Sequence, residues 1–311
     1  MNYISTFHEG DNITDIYFCK SKIVAQSKNG KTYYSLILQD KTATIDAKIW
    51  DLNNAIEHFE AHDYIKVSGQ ITSFNNALQF TVRRVQRAQE GEYDVADYMP
   101  TSDYDIEEMY TEFKGIIDSV EEVHLKKLLY SFFVDDAAFV KKFKNHSAAK
   151  AVHHGFIGGL LEHTLSVTRI CDFFSKNYPM LNRDLLLTAA MCHDIGKVYE
   201  ISDFPENDYT DEGNLIGHIV MGTMMVRDRA ATIEGFPHTL LGELEHCILS
   251  HHGKLEFGSP KKPGIMEAMA LSYADDTDAK MECFKETLEA NPDAADWVGY
   301  QKFFDSNVRR T

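Results

Sequence analysis

Ten of the 14 histidines lie between His146 and His252, and several of them stand inside apolar runs with helical spacing. A fold that buries so many imidazoles has to give each ring a polar partner, because an unsatisfied buried polar group is costly. LLEHTLSV carries His163, AAMCHDIGK carries His193 and Asp194, and LIGHIVMG carries His218. CILSHHGK carries His251 and His252, and LSYADDTDAK carries Asp275. Taken singly, each histidine reads as a satisfied residue of a packed helix. The ordered set H…HD…H…HH…D reads as a metal site.

Neutral imidazole and carboxylate together suit Mn²⁺, Co²⁺, Fe²⁺, Ni²⁺ or Zn²⁺, whereas Mg²⁺ and Ca²⁺ prefer shells of oxygen. A divalent transition metal is therefore expected. His193 and Asp194 are neighbours, and successive helical side chains diverge by roughly 100°, so the two can approach one ion from different directions. The carboxylate could also bridge to a second ion. Cys192 beside them reads as a small buried residue of the helix.

The front of the chain has another character. From Thr14 to about Arg87, short runs rich in Val, Ile, Tyr, Phe and Thr are broken by turn residues such as Asn29-Gly30 and Asn75-Asn76. Strands are expected at Ile16–Ala25, Thr32–Gln39, Thr44–Trp50, Tyr64–Phe74 and Ala77–Arg87, with a short helix around Asn53–Ala61. Five strands with a helix between the third and fourth is the order of an OB-fold barrel. Residues 91–105 are acidic, contain Pro100 and lack apolar periodicity, so they read as an exposed linker. Beyond Ile106 apolar residues recur every three or four positions, as in Phe113, Ile116, Ile117 and Val120. The expected class is α+β in two segregated domains: an N-terminal OB barrel over 1–90 and an all-α domain over 106–311.

The net charge of −17 argues against a protein that wraps duplex DNA through a broad basic face. Residues 1–95 hold 12 acids against 10 Lys and Arg, so the excess lies in the remainder. The start of the chain has no basic-then-apolar leader, and no run suits a membrane span. Five cysteines without a CxxC pair point to a reducing cytoplasm. Phosphate loops of the GxxxxGK[ST] and GxGxxG kinds are absent, against nucleotide-driven work and dinucleotide redox chemistry.

The contexts LLEHT, CHDIGK, SHHG and YADDTDAK resemble the HD superfamily of metal-dependent phosphohydrolases over about residues 150–285. With HHGFIGGLLEHT, HHGKLEFGSPKKP and the OB-like front, the whole chain is similar to the YhaM-type 3′-to-5′ exoribonucleases. That resemblance implies removal of nucleotides from the 3′ end of single-stranded RNA, and in some members single-stranded DNA, with Mn²⁺ or Co²⁺ preferred. It implies that His163, His193, Asp194 and Asp275 are the core ligands and that His218, His251 and His252 hold a second ion. Asp276 and Asp278 follow closely, and Asp275 is chosen because it fills the Ala-Asp place closing the motif.

Two ions can activate a water for attack on phosphorus, so no protein nucleophile is required. Asp194 and Lys197 then belong to the catalytic set, Lys197 as a partner for a phosphate oxygen. His153 or His154, before Gly155, Gly158 and Gly159, is a candidate to protonate the leaving oxygen. Ser259, Lys261 and Lys262 suit a phosphate contact. In the barrel, Tyr34, Trp50, Phe80, Arg83 and Arg84 are candidates for gripping a single strand, several of these aromatics being equally suited to the core. Two alternatives stay open: hydrolysis of small nucleotides such as cyclic dinucleotides, and a non-catalytic nucleic-acid-binding regulator. No membrane partner is expected, and a homo-oligomer is compatible with the sequence.

Overall fold

A computed structural model describes the chain apart from residues 28, 75, 76, 151–153 and 293. His153 and the Asn75-Asn76 turn thus lie outside the described residues. The chain forms two compact units, residues 1–101 with 203–206, and residues 102–202 with 207–311.

In the first unit β1 (Asn12–Gln26), β2 (Thr32–Gln39), β3 (Thr44–Ile49), β4 (Tyr64–Phe74) and β5 (Ala77–Arg87) close into a barrel of order β1-β2-β3-β5-β4. β1 is long because it serves both sides: its first half pairs with β4 and its second half with β2, across a register shift between Cys19 and Ser21. Leu36, Leu38, Val67, Ile71 and Phe80 alternate inward and are fully buried. A bulge opposite Ser68/Gly69 makes Arg83 the extra residue of β5, so Arg83 and Arg84 both face outward. Gly69 is required there, since a Cβ would lie 2.1 Å from the Thr81 carbonyl oxygen.

Two expectations fail in this unit. The helix anticipated around Asn53–Ala61 is absent; Ile56 instead makes a parallel bridge to Val85, and Val85 donates to the Ala55 carbonyl at 3.0 Å. Burying Ile56 and Phe59 on the barrel and satisfying the β5 backbone outweigh a few residues of modest helix propensity. The stretch 91–105 is also no exposed linker up to its domain boundary. Tyr98 and Met99 are buried, Tyr93 stacks on Tyr64 at 3.9 Å, and Lys41 pairs with Asp97. Its acids hid aromatic anchors that strap it to the barrel.

The second unit is helical: α1 (Ile106–Asp118), α2 (Val123–Phe133), α3 (Ala137–Asn145), α4 (Gly159–Asn177), α5 (Arg183–Cys192), α6 (Lys197–Glu200), α7 (Asp211–Ile216), α8 (His218–Ala231), α9 (His238–Ser250) and α10 (Met266–Glu289). The starts follow the sequence: Asp105, Asp136 and Asn182 each accept a backbone N–H of the first turn, a cap that contributes about 1 kcal/mol. One apolar core joins these helices through residues such as Phe113, Phe133, Leu165, Leu186 and Leu271. The expectation of helix to residue 311 fails at the end, where β6 (Trp297–Gln301) and β7 (Ser306–Arg309) form a hairpin. All five cysteines are buried. Burial pushes the Cys192 thiol up to about 12, so it stays protonated at neutral pH, as a packing residue does.

Candidate metal centre and cleft

Four ends of helices and the middle of α10 meet at one point. His163 stands one turn into α4, and α10 packs on α4 with Asp275 and Asp278 on its facing side. α5 ends at Cys192, so His193 and Asp194 occupy the turn that follows. Gly196 closes that turn against the first residue of α8, where a Cβ would lie 2.1 Å from the His218 carbonyl oxygen. Glycine is what lets His218 come within reach of Asp194. His251 and His252 follow the last turn of α9.

The Nδ1 atoms of five histidines are already engaged. His163 donates to Asp278 at 2.7 Å, His193 to the Ala190 carbonyl at 2.7 Å, and His251 to the Ile248 carbonyl at 2.7 Å. His218 donates to Glu200 at 2.9 Å and His252 to the Phe257 carbonyl at 2.8 Å. Fixing Nδ1–H in this way leaves Nε2 as the atom each ring can offer a ligand. Those Nε2 atoms converge. His163 Nε2 lies 3.2 Å from His193 Nε2, 3.3 Å from Asp275 Oδ1 and 3.4 Å from Asp194 Oδ2. The other oxygen of Asp194 lies 3.4 Å from His218 Nε2 and 3.6 Å from His251 Nε2.

Asp194 Oδ1, His218 Nε2 and His251 Nε2 are buried without a hydrogen-bond partner, and a cation shared among them would satisfy all three. Donor atoms within 4.8 Å of one another form the groups His163/His193/Asp275, His193/Asp194/His251 and His218/His251/His252. Asp194 stands between the first and the last of these with one oxygen toward each, which is the arrangement two adjacent ions need.

The charges are prepared for cations. Burial would raise the Asp194 carboxyl, but Lys197, His193 and His163 hold it well below the usual carboxylate range. Burial opposes ionisation of Asp278 too, and its hydrogen bonds from His154 and His163 prevail. Burial pushes His251 well below its usual value, keeping the ring neutral. For His163 burial acts downward, yet Asp194, Asp275 and Asp278 raise it well above 6.5 in the metal-free protein.

A cleft of roughly 430 Å³ opens on the centre, lined by His154, His163, Lys197, His251, His252 and Asp275 with Phe257 and small residues such as Ala148 and Ala279. That is a size typical of small-ligand sites. His154 is buried, with Nε2 3.2 Å from Asp278. Lys197, expected as a partner for a phosphate oxygen, borders the cleft with its ammonium 2.6 Å from Asp194 Oδ2. Ser259 is buried, its hydroxyl without a partner and outside the cleft lining, while Lys261 is exposed. Ser259, expected to suit a phosphate contact, is thus enclosed by the protein.

Asp278 and Glu200, which orient His163 and His218, were not singled out from the sequence as site residues. The spacing of Asp278 three residues after Asp275, on one helix face, was a usable signal; Glu200 carried none. In the barrel, Trp50 is exposed and packs against Tyr33 at 4.5 Å between ring centres, and Tyr34 is half-buried under the Lys22 ammonium. Phe80 is fully buried and touches Tyr17 and Phe7 edge-on, so its candidacy as a base contact is corrected: the inward register of β5 makes it core.

A five-stranded OB barrel joined to a helical His/Asp centre defines a metal-dependent phosphohydrolase carrying a nucleic-acid-binding fold. The HD domain family matches residues 160–280, and the OB-fold nucleic acid binding domain matches residues 19–88. Over 287 residues the chain is 34% identical to the 3′-5′ exoribonuclease YhaM of Geobacillus sp. (strain WCH70), covering 91% of this chain and 87% of that protein. The chain belongs to the YhaM family of 3′-5′ exoribonucleases and is a hydrolase that uses divalent metal. Among solved structures, the second OB-fold domain of replication protein A from Methanococcus maripaludis covers 30% of this chain and 100% of its own, at 22% identity and a TM-score of 0.24. The p204 HINb domain covers 28% and 46%, at 15% identity and a TM-score of 0.24. Among the described residues no helix is long and apolar enough to cross a membrane.

Proposed function

We propose that this chain removes nucleotides one at a time from the 3′ end of single-stranded RNA, in a reducing cytoplasm, with Mn²⁺ as its metal. His163, His193, Asp194 and Asp275 would hold one ion, and His218, His251 and His252, beside Asp194, would hold a second. The observation that carries this is the convergence of buried, partnerless acceptors on one point: Asp194 Oδ1, His218 Nε2 and His251 Nε2. The ions supply an activated water and offset charge on the phosphate.

The chain's own groups do the rest. Lys197 screens Asp194 and borders the cleft, where its charge also reaches a phosphate oxygen. His154, held by Asp278 at the cleft wall, delivers a proton to the departing O3′. Trp50, Tyr34, Arg83 and Arg84 on the barrel grip the upstream strand by stacking and charge. Lys261 adds a basic contact near the catalytic unit.

The test is a time course of the full chain with Mn²⁺ on single-stranded RNA labelled at its 5′ end, beside Asp194→Asn. A ladder shortening from the 3′ end in the wild type alone is the expected result. Intact RNA, with turnover of a cyclic dinucleotide instead, would overturn it.

A further inference from the structure

Among the described residues, Phe257 is the one large, exposed apolar side chain that also lines the cleft; it is 59% exposed. A benzyl group left in water beside a polar centre forgoes its share of hydrophobic stabilisation, and its face stays open to a planar group that enters the cleft. Its position is set by the centre itself. Phe257 ends the short 3-10 turn Leu255–Phe257, and its carbonyl accepts from Nδ1 of His252 at 2.8 Å. Its N–H donates to the Lys254 carbonyl at 3.1 Å, and Gly258, at φ +90°, turns the chain away. The Lys254 ammonium stands 5.1 Å from the ring centre. The same cleft is lined by Ala148, Ala149, Ser272, Asp276 and Ala279, mostly small side chains that leave it roomy.

We propose that Phe257 is the platform on which the base of the 3′-terminal nucleotide stacks, so that His252 fixes both the metal side of the cleft and the seat of the base. This rests on the exoribonuclease reading and adds a substrate rule to it. Stacking needs an exposed π-face and tolerates every base, so the terminal base must be unpaired, and its ring area governs how well it is held. Purine ends are bound better than pyrimidine ends, and an abasic end is bound worst.

The experiment compares 5′-labelled single-stranded RNAs that differ only in the last nucleotide, which carries adenine, uracil or no base. Removal of that nucleotide by the full chain with Mn²⁺ is followed over a range of RNA concentrations for wild type, Phe257→Ala and Phe257→Trp. Wild type should show kcat/KM about tenfold higher for the adenine end than for the abasic end. Tenfold corresponds to about 1.4 kcal/mol, within the range of one base–aromatic stack. Phe257→Ala should lose the discrimination, chiefly through KM, and Phe257→Trp should keep it. Thermal unfolding of both variants checks the fold, which an exposed side chain should not upset. Equal rates for all three ends in wild type, or undiminished discrimination in Phe257→Ala, would overturn the stacking role while leaving the exoribonuclease reading in place. Failure of the wild type to shorten any of them would sink that reading and the inference with it.

Discussion

Nδ1 of His163 donates to Oδ2 of Asp278 at 2.7 Å, and the same carboxylate accepts from Nε2 of His154 at 3.2 Å and from the Ser166 hydroxyl. One side chain of α10 therefore holds a ligand-bearing ring and a cleft-wall ring together. Its neighbour three residues earlier, Asp275, faces the centre directly at 3.3 Å from His163 Nε2.

Asp278→Asn turns part of that acceptor into a donor and loosens both rings. Orienting partners of metal ligands typically contribute 10–100-fold in affinity or activity. Mn²⁺ affinity by titration calorimetry should fall by about that factor while circular dichroism stays that of the folded chain. Wild-type affinity in the variant would show that the pair does not orient His163.

Gly196→Ala places a methyl against the His218 carbonyl, a backbone atom that cannot swing aside. Overpacking of this kind costs about 1–3 kcal/mol, and here it also draws His218 away from Asp194. Both the melting temperature and activity should drop. An active variant melting with the wild type would mean that the turn has slack.

The barrel offers a paired test. Trp50 is exposed and Phe80 is buried on the same barrel. Trp50→Ala should weaken single-strand binding by roughly tenfold, as one lost stacking contact does, with little change in unfolding. Phe80→Ala should instead cost about 3–5 kcal/mol of stability. Fluorescence anisotropy and denaturant titration separate the two, and a swap of the outcomes would reverse the assignment.

Metal loading should depend on pH through His163. Burial lowers its pKa, but Asp194, Asp275 and Asp278 raise it above 6.5 in the metal-free protein. A cation must displace that proton, so affinity falls as pH falls and rises with pH until the folded pKa is passed. Calorimetry in buffers of different ionisation enthalpy should detect about one proton released as the site that includes His163 is loaded, and affinity there climbing by up to about tenfold per pH unit above neutrality. In the metal-free protein the signs oppose: His163 adds stability below 6.5 that is lost as pH rises through its folded pKa. His251, depressed by burial, adds stability above 6.5 that is lost on acidification. An affinity flat across neutral pH would contradict a protonated His163.

The bounds of β2, β4 and β5 could be read from alternation and turn residues, because a half-buried strand repeats every two residues and needs no knowledge of its partner. His163, His193, Asp194, His218, His251 and Asp275 could be singled out because each stands in a short local motif, and the fold brings their side chains together. What the chain could not declare locally is what depends on two segments meeting. Ile56 pairs with Val85 rather than entering a helix, and Tyr98 and Met99 bury a stretch whose charge suggested exposure. Phe80 turned inward because closing the barrel sets its register. Asp278 and Glu200 became orienting partners only where α10 packs on α4 and α6 meets α8. Periodicity and motif spacing are properties of one segment, and the sequence by itself determined what they decide; hydrogen bonds between segments are properties of the packed fold, and only tertiary structure could assign them.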